Sequence, residues 1–375
     1  MAVLGGSSGG GTSQSILEEQ LFIDSTTWSP WANCEALVTV VGGGGSGSIV
    51  PYNAAPFYYN SAGTGGGAGA VAKSKLTLSK DVTYTINCGA GGARKTGVTG
   101  QDGTNGGTSE FQGSDITNMS ANGGEGGNQV GGSPHNNFSV TGAAGGAAGS
   151  TGNLFNTTGG SGGSITFTMS SAYNAYYNSF ATGGGSVGIF GYNGHSAGAM
   201  TYSGGSINQY KTAGTGGAGV GANSGTWTTD AFSYYGEGGP GMKGSAPADG
   251  NDAGGSTVLT AVTEPALSGQ FFNGHGGFIY SNPWAMTSVL AGNFTGYYLG
   301  GFGVGGCASD ENNKNQHAGP FAGGGPQFKE AGGGGDASFG GGGGPYVVHQ
   351  STQTDRTSGI GGFGFVLIQV LSWSF

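Results

Sequence analysis

The sequence predicts an all-β protein: a small β-sandwich formed by N- and C-terminal strands, with a glycine-rich middle of polyglycine-II-like helices and long loops. Three observations carry this. The chain holds 90 glycines in 375 residues with only 11 prolines. It holds 20 Phe, 16 Tyr and 5 Trp against 10 basic and 19 acidic side chains. Its clearest β-branched and apolar runs lie near its two ends. The missing Gly-X-Y period excludes collagen, and the aromatic mass is the opposite of a disordered composition. Interior glycine costs about 1 kcal/mol per residue in a helix, which leaves 15–22 (SILEEQLF) as the one helical candidate, readable equally as a short strand.

Four zones follow along the chain. Residues 1–20 precede the first β texture. Residues 21–127 form an N-terminal β part, where 36–41 (ALVTVV), 75–78 (KLTL) and 83–88 (TYTINC) are short runs bounded by turn residues, with a weaker strand at 22–24. Residues 128–345 are glycine-rich scaffold with aromatic loops, broken into blocks such as GGAAG at 145–149, GTGGAG at 214–219 and GGGGG at 340–344; a similar GGEGG stands at 123–127. Residues 346–375 supply the closing strands. There 365–371 is apolar at nearly every position, as in a strand covered on both faces. Strands 36–41 and 366–371 are natural partners, a pairing of such sequence separation that folding should be slow.

A buried backbone must pair nearly all its N–H and C=O groups, yet an extended three-residue-per-turn helix makes no internal hydrogen bonds. Two arrangements of the glycine blocks meet this demand. In one, parallel and antiparallel polyglycine helices bond sideways to each other, approaching as closely as only glycine allows. In the other, the blocks are turns and bulges of an ordinary β-sandwich.

Composition also sets expectations about chemistry. The charge of −9 is thinly spread and contains no basic run, so nucleic acid is not an expected partner. The N-terminus MAVLGGSSGGG has neither the basic nor the apolar region of a secretory signal, and no apolar stretch is long enough to span a bilayer, so membrane insertion is not expected. With glycine at about one position in four, GxGxxG arises by chance at roughly one start in sixty-four, so these matches carry no information. Cys34, Cys88 and Cys307 stand at unrelated spacings and are expected to be reduced thiols. His135, His195, His275, His317 and His349 are isolated from other metal-ligand residues, so no metal and no cofactor are expected. The reading is of a binding or structural protein and not an enzyme.

The run 36–45 (ALVTVVGGGG), then 83–92 (TYTINCGAGG), 106–111 (GGTSEF), 121–127 (ANGGEGG) and 361–369 (GGFGFVLIQ) together resemble the glycine-rich domain of bacteriophage tail fibres and tail-tip adhesins. The likeness covers about the first third and the last fifteen residues. Cys88 departs from it, standing where that family tends to place an apolar β-branched residue. The resemblance implies a virion component, made in the host cytoplasm, that displays loops from a rigid scaffold to a bacterial cell-surface receptor, a glycan or an outer-membrane protein. It implies other tail proteins as partners and residues 1–20 as the attachment segment; a purely structural virion or filament subunit is the alternative. Many phage fibres cleave glycans with paired carboxylates, but the close pairs Asp310–Glu311 and Asp249/Asp252 sit in polar, loop-like sequence and read as solvated turns.

The aromatic inserts are the strongest binding signal, since Tyr among Ser, Gly and Asn gives rigid contact area at low entropic cost. The receptor-contact candidates are Tyr173, Tyr176, Tyr177, Tyr192, Tyr234, Tyr235, Trp284, Tyr297 and Tyr298. The same rings could instead cap a glycine bundle that has no side chains of its own. The two-faced apolar C-terminal strand suggests association around a symmetry axis, so a homotrimer is expected, with Phe365, Leu367 and Trp373 at the subunit contact.

Overall fold

The computed structural model describes residues 16–51, 59–134, 137–149, 151–169, 178–189, 191–204, 211–219, 227–229, 271–272, 278–279, 318, 321–328, 334–347 and 356–374. Within them the protein is all-β, with no helix. The 15–22 candidate resolves as strand β1 (Glu18–Phe22), which also takes the place of the weaker strand read at 22–24.

One end of the molecule is a two-sheet sandwich. Its larger sheet runs β1, β22 (Phe365–Ser374), β3 (Asn33–Val41), β6 (Val71–Leu78), β12 (Phe155–Thr157). The facing sheet runs β2 (Thr26–Trp28), β7 (Tyr84–Asn87), β8 (Ser109–Gln112), β9 (Met119–Ala121). The partnership expected of 36–41 and 366–371 is present: β22 lies antiparallel to β3 with Val366 opposite Val40 and Ile368 opposite Val38. Strand alternation sends Val38, Val40, Val366, Ile368 and Val370 inward, against Tyr84, Ile86, Phe111 and Met119 of the other sheet. Tyr84 and Phe111 stack at 5.2 Å, and the Tyr84 hydroxyl donates to Asp115 while accepting from the Ser79 amide, so this buried phenol is satisfied.

From the sandwich the chain passes repeatedly into a lattice of extended segments. Segment 42–48 shows its rule. The amides of Gly42, Gly45 and Ser48 donate to Ala70, Gly67 and Thr64; those of Gly43 and Ser46 to Gly107 and Thr104; those of Gly44 and Gly47 to Gly362 and Gly359. Each neighbour is met at every third residue, the period of a polyglycine-II helix. The same segment accepts from Gly124 and Gly127, from Gly343 and Tyr346, and from Gly92, so it is bonded on all sides. The laterally bonded bundle, not a set of turns, is therefore what the glycine blocks build. Close approach is what requires glycine: a Cβ on Gly44 would stand 1.9 Å from the Gly341 oxygen, and one on Gly124 2.1 Å from that of Gly67.

Rim segments show the same period as exposure. Asp102, Asn105 and Thr108 face solvent, as do Thr141, Ala144 and Ala147. In 122–128 (NGGEGGN) Asn122 and Glu125 are exposed and Asn128 is half-buried. These side chains stand in for the lattice neighbours the rim lacks. Asn105 Oδ1 accepts from the Gly126 amide, Glu125 Oε2 from the Ala144 amide, and Asn128 Nδ2 donates to the Thr141 carbonyl.

Beyond the lattice the segments continue as three small sheets. One is β10 (Gln129–Pro134), β5 (Tyr59–Thr64), β14 (Asn178–Thr182), β16 (Lys211–Thr215). The second is β11 (Phe138–Val140), β13 (Ile165–Met169), β15 (Met200–Gly204), β17 (Trp227–Thr229), and the third β20 (Gln327–Phe328), β21 (Tyr346–Val347), β4 (Ile49–Val50). β18 (Phe271–Phe272) and β19 (Phe278–Ile279) form an antiparallel pair. Phe138, Phe167 and Phe180 join the first two sheets, with Phe167 5.0 Å from each of the other two rings; Val50, Ala181 and Val347 join the first to the third.

Candidate binding surface at the loop end

Strand direction sorts the ends of the molecule. β5, β14 and β16 start in register at Asn60, Asn178 and Lys211, and β10 ends at Pro134 opposite Tyr59. β13 and β15 end in register at Met169 and Gly204, and β11 starts with Phe138 opposite Phe167. β4, β20 and β21 finish together at Val50, Phe328 and Val347. The chain therefore leaves the described fold after 51, 134, 169, 204, 328 and 347 and returns at 59, 137, 178, 211, 334 and 356 at this one end, whereas Gly219 and Trp227 lie on the lattice side of β16 and β17. The opposite end carries β1, whose neighbouring Leu17 amide bonds to Val370, and the close of β22, where Trp373 lies opposite Cys34. Trp31 packs on Trp373 there at 4.5 Å.

Against this axis the expected contact residues divide. The segment holding Tyr173, Tyr176 and Tyr177 is one of those that leave and return at the loop end; the three tyrosines themselves lie outside the described residues. So do Tyr234, Tyr235, Trp284, Tyr297 and Tyr298, Cys307, the carboxylate pairs Asp249/Asp252 and Asp310–Glu311, and every histidine but His195. Tyr192 is described and half-exposed, but it sits on a turn at the sandwich side of the lattice, where Gly191 (φ 87°) packs against Phe155 of β12. The structure does not bring it to the loop end.

Phe365 and Leu367 are buried within one chain. Phe365 meets Phe321 and Phe339 at 6.0 and 5.7 Å, and Leu367 lies between Leu21 and Thr39 in the sheet. Trp373 is half-buried beside the exposed Trp31.

Among the described residues, the groups with shifted proton affinity all belong to the sandwich. Burial, then the Glu18 charge, pushes the Cys34 thiol up to about 11, and burial likewise raises Cys88 to about 11, so both are neutral thiols at physiological pH. Tyr84 is raised by burial and by its bond to Asp115. Burial lowers Lys73 to about 8, against an upward pull from Glu19. Among the described residues no group of three or more His, Cys, Asp or Glu could hold a metal ion.

One feature at the loop end escaped the sequence reading. Segments 94–97 and 356–358 zip together: Thr96 bridges Thr357, the Gly97 amide donates to Arg356 O, and the Ser358 amide to Lys95 O. Arg356 thereby meets Arg94 and Lys95, which precede it by 262 and 261 positions in sequence, a placement that only the lattice register creates.

The class is thus a β-sandwich continued into a polyglycine-helix lattice that carries its loops at the far end. A family model for a glycine-rich domain matches residues 23–262, well over half of the chain, and the protein belongs to that family. No curated protein matches the chain.

Proposed function

We propose that the protein is a tail-fibre or tail-tip adhesin of a bacteriophage virion that binds a host cell-surface receptor through the loops at one end of its lattice. The observation that carries this reading is the polarity of the fold: six inserts leave from one end and return to it, and the outermost strands of the chain lie at the other. A lattice bonded in every direction holds such loops in fixed relative positions, which lowers the entropic cost of binding through several of them at once.

The family names a glycine-rich domain and specifies neither particle nor receptor, so the test is direct. Purified protein should bind the host bacterium and block infection. Replacing 170–177 by a glycine-serine linker of equal length should remove binding while leaving the thermal midpoint in place. A folded protein that enters particles but binds no cell would make it a structural subunit instead.

Assembly as a homotrimer, with residues 1–20 attaching to other tail proteins, belongs to the same proposal. The chain buries Phe365 and Leu367 by itself, so the apolar surface left for association at the sandwich includes Trp31 with Trp373, and Leu17 and Ile23 beside β1. Light scattering that gave a stable 36.6 kDa monomer would overturn the trimer.

A further inference from the structure

We infer that Lys95 and Arg356 form an anion-binding subsite at the loop end, selective for an acidic sugar: a carboxylate or phosphate oxygen flanked by hydroxyls. The inference rests on the receptor-binding reading and names the chemistry of the ligand.

Basic residues are scarce here, 10 in the whole chain, and three of them meet at this one place. Arg94 is neutralised by Asp336. Lys95 and Arg356 take part in no ion pair among the described residues. Antiparallel register puts them on one face: Thr96 pairs Thr357, so Lys95 and Arg356 form a diagonal pair on the opposite side of the bridge. Two like charges so placed repel, and a fold with few charges gains nothing internal from the arrangement.

The guanidinium adds the second observation. It stands 5.9 Å from the centre of the buried Tyr346 ring, and Arg356 Nε is buried without a hydrogen-bond partner. A buried donor left unpaired is destabilising, and an anionic acceptor would offset that loss. On the other flank of the 97–101 turn, Gln129 Oε1 is a buried acceptor without a donor, close against Gly100. An unpaired donor and an unpaired acceptor on either side of one turn match a ligand with both an anionic oxygen and hydroxyl groups. The Arg fork is suited to carboxylate and phosphate alike, so the two sources are separated by experiment.

The test is binding of the full chain to a uronic-acid oligosaccharide, a sugar-phosphate oligosaccharide and neutral dextran, read by calorimetry. At least one anionic probe should bind, weakening about tenfold or more in Lys95→Gln and in Arg356→Gln, and weakening further as salt shortens the range of charge attraction. Arg356→Lys keeps the charge and loses the fork, so it should fall between wild type and Arg356→Gln; it also serves if Arg356→Gln fails to fold. Failure of both anionic probes, equal binding of dextran, or variants that bind like wild type would overturn the subsite. Host-cell binding is scored in parallel. Wild type that binds cells but neither anionic probe rejects the subsite and leaves the adhesin reading standing; probe binding without cell binding rejects the adhesin reading alone.

Discussion

A single β-carbon separates the interior of the lattice from its rim. At Gly124 it would meet the Gly67 oxygen at 2.1 Å, and at Gly217 the Gly323 oxygen at 1.8 Å, both backbone atoms that cannot swing aside. Gly124→Val and Gly217→Val should each cost about 3–5 kcal/mol in a denaturant titration, whereas Ala147→Val on the exposed rim should stay within about 0.5 kcal/mol. The rim was legible: in NGGEGGN at 122–128 every non-glycine falls on the period of three. The interior was legible only as closely packed glycine, because a glycine run carries no mark of which neighbour it meets. Lys73 gives a second test at this scale. Its folded pKa of about 8 lies below the value near 10.4 of an unfolded lysine, so the unfolded chain binds the proton more tightly between those limits. Folding stability from this group is therefore highest above pH 10.4, falls as pH drops towards 8, and is flat below. Measured against Lys73→Met, wild type should gain about 2–3 kcal/mol in relative stability between pH 8 and pH 10.5.

Among the elements, β3, β6, β7 and β22 were readable from their β-branched and apolar runs, whereas the shorter sandwich strands β2, β8, β9 and β12 carry too few such residues to stand out. Nor do the strands at the loop end. β5 reads YNSAGT and β10 reads QVGGSP, with almost no β-branched content, yet each pairs because the lattice segment it continues fixes its register. β1 reads equally as helix or strand at 15–22, since EEQLF lacks the β-branched signal and is held as a strand by β22. The C-terminal strand is the element to test. β22 fills the gap between β1 and β3, so Leu367→Asp would place a charge at a site only 2% exposed. The expected result is loss of the cooperative thermal transition, not release of folded subunits, as followed by circular dichroism together with light scattering.

At the scale of the whole molecule, the chain order conflicts with the bonding order. Segment 42–48 finds partners near residues 64–70, 92, 104–107, 124–127, 343–346 and 359–362, so its hydrogen bonds are completed only when nearly the entire chain is present. Early segments wait, with unpaired backbone, for late ones, which makes folding slow. It also makes the finished structure cooperative, since lattice segments such as 42–48, 65–70 and 122–128 run unbroken from a sandwich strand at one end to a loop-end strand at the other. Hydrogen exchange should show the amides of Gly43, Gly44 and Gly45 opening only with global unfolding, and at the same free energy as the Val38 and Val40 amides of β3. Separate exchange classes for lattice and sandwich would contradict this. The loop positions were foreseeable as aromatic inserts between glycine blocks, but their convergence on one end was not, because it depends on the direction of every segment between them.

The direction of those segments has a mechanical side. Load applied between a loop at the far end and the strands at the sandwich end would run along the segment axes, across hydrogen bonds that lie perpendicular to it. Bonds so arranged are sheared together and not peeled one after another, so the force divides among many. Pulled in this direction the protein should rupture at far higher force than when pulled between residues 17 and 374, where β1 can be stripped from the edge of its sheet.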